Sequence, residues 1–131
     1  MYCIVLGAEP EGRKFVKMAV ENDHEVTLIE PNEEKARKIL QQTSIRVLVG
    51  SISETEILQE AEIERADAVV ATTYDDAQNL MAMMLAKEND VDIRVTFVNQ
   101  ADHDKIFEDL AAKVLHDPAR IVARKLYDLL D

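Results

Sequence analysis

The sequence is poor in several residue types, and each shortage excludes something. It has one cysteine, Cys3, and no tryptophan. A single cysteine forbids an intramolecular disulfide and a cysteine zinc site. Cys3 lies inside an apolar run, so it reads as a buried core thiol. Three glycines and three prolines in 131 residues exclude collagen-like and low-complexity architectures. Basic residues are the minority, 15 Lys+Arg against 26 Asp+Glu, for a net charge of −11. No run of Lys or Arg forms a local patch. A nucleic-acid backbone or an anionic membrane would repel such a chain, so neither is expected as a direct partner. No apolar stretch approaches the roughly 20 residues that cross a bilayer, and the N-terminus lacks a basic-then-apolar signal. A cytoplasmic protein without membrane insertion is expected. There is no P-loop, nucleophile elbow, HExxH or zinc spacing, so neither catalytic residues nor metal ligands are expected.

What is present suits one domain spanning residues 1–131: 47% hydrophobic and 31% charged residues. Tyr2–Leu6 is an apolar run closed by Gly7, too short for a helix, and reads as a strand buried on both faces. Helical spacing follows over Gly12–Asn22, carried by Phe15, Val16, Ala19 and Val20. Glu25–Glu30 is a β-branched strand. Asn32 is placed to cap a helix running to Gln42, with Ala36, Ile39 and Leu40 inward. Ile45–Val49 is a third strand closed by Gly50. Ser53 and Glu56 have capping-box spacing for a helix over Ser53–Ala61. Strands follow at Ala68–Ala71, Ile93–Val98 and Lys113–Leu115. Helices are expected over Asp75–Glu88, over Ala101–Ala112, and from Pro118, capped by Asp117, to about Leu130. Strands alternating with helices define an α/β fold, a Rossmann-like doubly wound parallel sheet of order 3-2-1-4-5-6 with helices on both faces.

In that fold ligands bind beyond the carboxyl ends of the strands, where the strand order reverses. The first loop there is Gly7-Ala8-Glu9-Pro10-Glu11-Gly12. A dinucleotide fingerprint wants glycine at its first, third and sixth positions, and Glu9 takes the third. A carboxylate about 4 Å from a phosphate charge opposes it by roughly 1 to 4 kcal/mol. Arg13, Lys14 and the helix N-terminus offset part of this, or the two cations are simply a solvated turn. Glu30 ends the second strand where an acid holds ribose hydroxyls; its other reading is a solvated strand end. Asp75-Asp76 reads as a dipole-favoured helix start, with cation attraction as the alternative. His103 between Asp102 and Asp104 reads the same way. His24, His103 and His116 fall in separate segments, the last two toward the crevice rim. The helix over Asp75–Glu88 is apolar nearly all round, so a second subunit is expected on the face the sheet leaves uncovered, with methionines at the seam; cover by its own neighbours is the alternative.

Together IVLGAEPEG, EVTLIE, the block VLVGSISETEILQEAEIERADAVVATTYDDAQNLMAMMLAKE and LAAKVLHDP resemble the RCK (KTN, or TrkA-N) domain over nearly the whole chain. The middle block is the specific part. The resemblance implies a regulatory domain of a potassium channel or Trk/Ktr potassium transporter. It also implies a homodimer or larger ring, peripheral to the inner membrane face through a membrane subunit, and an adenine nucleotide (NAD, NADH, ATP or ADP) as ligand. By resemblance Gly7, Ala8 and Gly12 match the phosphate loop and Glu30 the ribose acid. Gly50 and Ser51 match the pair near the adenine. Ala71, Thr72 and Thr73 match the loop over the nucleotide, and Asn99 matches the Asn after the fifth strand. Four residues depart from the pattern: Glu9 for the second Gly, Glu11 for a hydrophobic residue, Ser51 for Asp and Phe97 for Arg. They imply a weakened nucleotide site, a site for the nucleoside part alone, or an unliganded ring subunit. The family's C-terminal domain is not in the sequence, so the chain is a one-domain member or a piece of a longer one. An NAD-dependent oxidoreductase is the alternative class, opposed by the lack of room for a substrate domain.

Overall fold

The computed structural model describes residues 1–54 and 56–131. Its centre is β1 (Tyr2–Leu6), whose five residues are all buried. Crossovers through α1 (Pro10–Glu21) and α2 (Glu33–Gln42) lead to β2 (Glu25–Glu30) and β3 (Arg46–Val49) on one side. After α3 (Ile57–Glu60) and a 3-10 turn at Ile63–Arg65, the chain returns to the other side of β1 as β4 (Ala68–Ala71). Then come α4 (Asp76–Glu88), β5 (Ile93–Val98), α5 (Asp104–Glu108), β6 (Lys113–His116) and α6 (Pro118–Asp128). The six strands are all parallel, in order β3-β2-β1-β4-β5-β6. The expected fold is therefore the observed one.

Alternation along the strands sorts side chains to two faces. Val5, Val26, Leu28 and Val70 pack with Val16 and Ala19 of α1 and Ile39 of α2. Ile4, Leu6, Ile29 and Val69 pack on the opposite face with Ile57 and Leu58 of α3, Ala82, Met83 and Ala86 of α4, and Phe107 of α5. The edge strands are less covered than the reading of six buried strands implied: β3 and β6 have no buried residue, because each has a strand on one side alone.

Several boundaries differ from expectation for local reasons. Helix α1 starts two residues early because Pro10 suits the first helical position; Glu9 is its N-cap residue. Leu40 faces outward rather than in, and Phe15 is exposed as well. The capping box at Ser53 does not form. Ser53 instead shares a hydroxyl contact with Ser51 (2.8 Å), the Glu54 carboxylate accepts from the Ser51 amide (3.1 Å), and α3 begins at Ile57. Thr55, inside the expected helix, lies outside the described residues. The segment after β5 opens as a 3-10 turn at Ala101–His103, and its helix ends at Glu108, ahead of a left-handed Ala111 (φ 53°). Met83 is fully buried on α4, whereas Met81 and Met84 are exposed. No described helix is long and apolar enough to cross a membrane.

Candidate functional site

Strand order reverses between β1 and β4, and the two carboxyl ends are stitched there. The Thr72 amide donates to the Leu6 carbonyl (2.9 Å). The Thr72 hydroxyl lies 3.0 Å from the Leu6 carbonyl and 3.2 Å from that of Gly7. Gly7 has φ +103°, and an added Cβ would meet Thr73 Cγ2 at 3.0 Å, so chain direction and space both call for glycine. A Cβ on Gly12 would lie 2.2 Å from the Gly7 carbonyl oxygen; only glycine lets α1 seat this closely on the loop.

Beyond this seam opens a cavity of about 440 Å³, with Gly7, Glu9, Glu30, Lys35, Thr73 and Asp75 in its wall. Glu30 is 5% exposed. Its Oε1 accepts from the Ala8 amide (2.8 Å) and its Oε2 from the Asn32 amide (2.9 Å). The carboxylate therefore ties the β2 end to the glycine loop. Each oxygen keeps a second lone pair that a ligand hydroxyl can use. At the rim Glu9 is ion-paired with Lys35, the third residue of α2. That carboxylate holds the Lys35 ammonium above its ordinary pKa. Opposite, the Tyr74 hydroxyl donates to Glu11 (3.0 Å). Burial, and next the Glu11 carboxylate, push the phenol up to about 12.

The sequence-predicted site residues separate into groups. Gly7, Glu9, Glu30 and Thr73 share the cavity. Ala8 and Thr72 are buried in the seam, and Gly12 is buried at the start of α1. Arg13 lines a different cavity of about 420 Å³ along α1 with Lys14 and Lys17. Gly50 donates its amide to the Glu30 carbonyl (3.1 Å). Neither it nor Ser51 is in the wall of the β1–β4 cavity.

Two residues support the site in roles the sequence reading did not give them. Asp75 does cap α4, accepting from the Ala77 amide (2.9 Å). Asp76, however, turns inward and is 8% exposed. It accepts from the Asn99 amide (2.8 Å) and side chain (2.8 Å), from the Gln100 amide (3.0 Å), and from His103 Nδ1 (2.7 Å). Burial is the largest influence on its carboxyl and opposes ionisation; these donors together outweigh it and hold the pKa below the usual carboxylate value. Asn79 is fully buried and brackets Thr73: its Oδ1 accepts from the Thr73 amide (3.2 Å) and hydroxyl (2.7 Å), and its Nδ2 donates to the Thr73 carbonyl (3.0 Å). Asn79 also donates to the Phe97 carbonyl (3.2 Å), locking the Thr73 loop to β5. The signal was available. Residues 76, 79, 83 and 86 fall on one helical stripe, so a polar residue there faces the core. Histidines 103 and 116 each engage a carboxylate, Asp76 and Asp104 respectively. Among the described residues no His, Cys, Asp and Glu cluster could hold a metal ion.

Sheet order, a positive-φ glycine after β1 and a buried acid closing β2 define a nucleotide-binding-type domain of the doubly wound class. Within that class, the model of the TrkA-N domain matches residues 3–118, and the chain belongs to that family. A Trk system potassium uptake protein TrkA homolog of Pyrococcus abyssi is 34% identical over 111 residues, covering 84% of this chain and 49% of that protein. The chain thus spans about half the length of this relative. Among solved structures, the TrkA-N domain of the inner membrane protein ybaL from Escherichia coli superposes with a TM-score of 0.84 at 17% identity, over 99% of this chain and 96% of that one. The GsuK channel bound to NAD superposes with a TM-score of 0.72 at 18% identity, over 87% of this chain and 21% of that one.

Proposed function

We propose that this chain is a regulatory, non-catalytic domain of a potassium transport system. It binds an adenine nucleotide in the β1–β4 crevice and passes a change of shape to a membrane subunit at the cytoplasmic face. The observation that carries the reading is the convergence of Gly7, Thr73 and the buried Glu30 carboxylate on one cavity at the topological reversal. Family membership supports it, as do the potassium-uptake relative and the GsuK channel bound to NAD, part of which shares this fold. A ligand moves such a switch only by its differential affinity for two shapes. Calorimetric titration with ATP, ADP, NAD and NADH tests the ligand. At least one should give a saturable heat, and Glu30→Ala should weaken it roughly tenfold, the loss of one charged hydrogen-bonding partner. Flat titrations at about millimolar ligand would remove nucleotide switching.

The switch acts through a dimer or larger ring. The exposed Met81 and Met84 lie beside Leu58, Ile63 and Leu110 along a second cavity of about 760 Å³, an apolar face suited to a twin. Light scattering should give twice the chain mass or more, and Met84→Asp should lower it. A concentration-independent monomer would count against the seam.

A further inference from the structure

The phosphate end of the β1–β4 crevice is short of donors and lined by carboxylates. An anion seat at a helix N-terminus needs free backbone N–H groups. In this loop the Gly7 amide donates to the Ile29 carbonyl (3.1 Å) and the Ala8 amide to Glu30 (2.8 Å). Pro10, at the first helical position, has no N–H to give, which leaves the amides of Glu9, Glu11 and Gly12 as the donors of this loop. The one cation of the cavity wall, Lys35, is ion-paired with Glu9. That wall otherwise carries three carboxylates: Glu9, Glu30 and Asp75. Glu11 stands at the rim against Tyr74. A 5′-diphosphate would have to displace Glu9 from Lys35 and then lie among carboxylates. The ribose of a ligand meets no such obstacle, because each Glu30 oxygen keeps acceptor capacity for a hydroxyl.

We infer that the crevice selects adenine nucleosides whose 5′ substituent is uncharged or cationic, such as a hydroxyl or a sulfonium, over 5′-diphosphates, and that Glu9 sets this selectivity. The inference rests on the adenine-crevice reading above and narrows its ligand class. Glu9, Glu30 and Asp75 set three negative charges in the wall against the single positive charge of Lys35, a balance that favours a cationic 5′ group over an anionic one.

The test is calorimetry on the full chain at fixed ionic strength with adenosine, S-adenosylmethionine, ADP and NADH. The unaltered protein should bind adenosine and S-adenosylmethionine at least about tenfold more tightly than ADP or NADH. Glu9→Gly restores the small residue at the third loop position; Glu9→Gln removes the charge at nearly constant size and guards against a loosened loop. Both should strengthen ADP binding roughly tenfold, weaken S-adenosylmethionine, and move adenosine by less than about threefold. ADP or NADH binding as tightly as adenosine, or an ADP affinity unmoved by both substitutions, would overturn the selectivity while leaving the adenine crevice standing. Silence from all four ligands in the unaltered protein and both variants would sink the crevice reading and this inference with it.

Discussion

Gly12→Ala is expected to lower stability by about 3 kcal/mol, the upper end of what an inserted core methyl does. The new Cβ would lie 2.2 Å from the Gly7 carbonyl oxygen and 2.5 Å from Thr72 Oγ1. A side chain could rotate away, but the nearest atom is backbone, held in a loop whose Gly7 already has φ +103°. Relief requires lifting the start of α1 from the sheet, and Val16 and Ala19 with it. Gly12 carries no positive φ, so the effect is steric and not conformational. Trimming the hydroxyl as well, in Gly12→Ala with Thr72→Ala, should recover little. Urea unfolding of the single and double variants checks this. A midpoint within error of the parent would mean that α1 does not seat as described.

Asp76→Ala should cost a similar amount, about 3 kcal/mol, because it leaves the donors of Asn99, Gln100 and His103 without their acceptor. The pair also has a pH signature. Hydrogen bonding to Asp76 raises the His103 pKa above its ordinary 6.5, reinforced by Asp102 and Asp104. A raised histidine contributes stability in full below 6.5, lost as pH climbs through the folded value. The lowered Asp76 contributes above its ordinary 3.8, lost as pH falls through the folded value. The pair should therefore stabilise most between these limits. An NMR titration should place the His103 midpoint above 6.5, and Asp76→Asn should bring it down. A parent midpoint at or below 6.5 would refute the pairing.

Where structure follows from a short stretch of chain, the sequence was readable. The apolar run of β1 stops at Gly7 because the chain must turn with positive φ there, and Asn32 caps α2 by accepting from the Lys35 amide (3.0 Å) as its position suggested. Where two local solutions compete, it was not. Ser53 and Glu56 have capping-box spacing, yet the Ser51–Glu54 turn forms instead. The site was readable to the same extent. Gly7 and Glu30 could be named because loop geometry and strand end fix them. Glu9 could be named as a misfit, but its partner Lys35 lies 26 positions away. Asp76 looked like a helix-dipole residue because its partners Asn99 and His103 come from another element.

The seam between β1 and β4 has a temporal consequence. Its stitches join residues 65 and 66 positions apart, whereas β2 and β3 pair with the earlier half of the chain and β5 and β6 with the later. Closing so wide a gap is the entropically slow move in building a parallel sheet. Pairing of β1 with β4 is therefore the step expected last, and the cleft between Gly7 and Thr73 would form with it. The cavity wall takes residues from both sides of that gap, so a guest lodged there would act as a clasp on the sheet's least local joint.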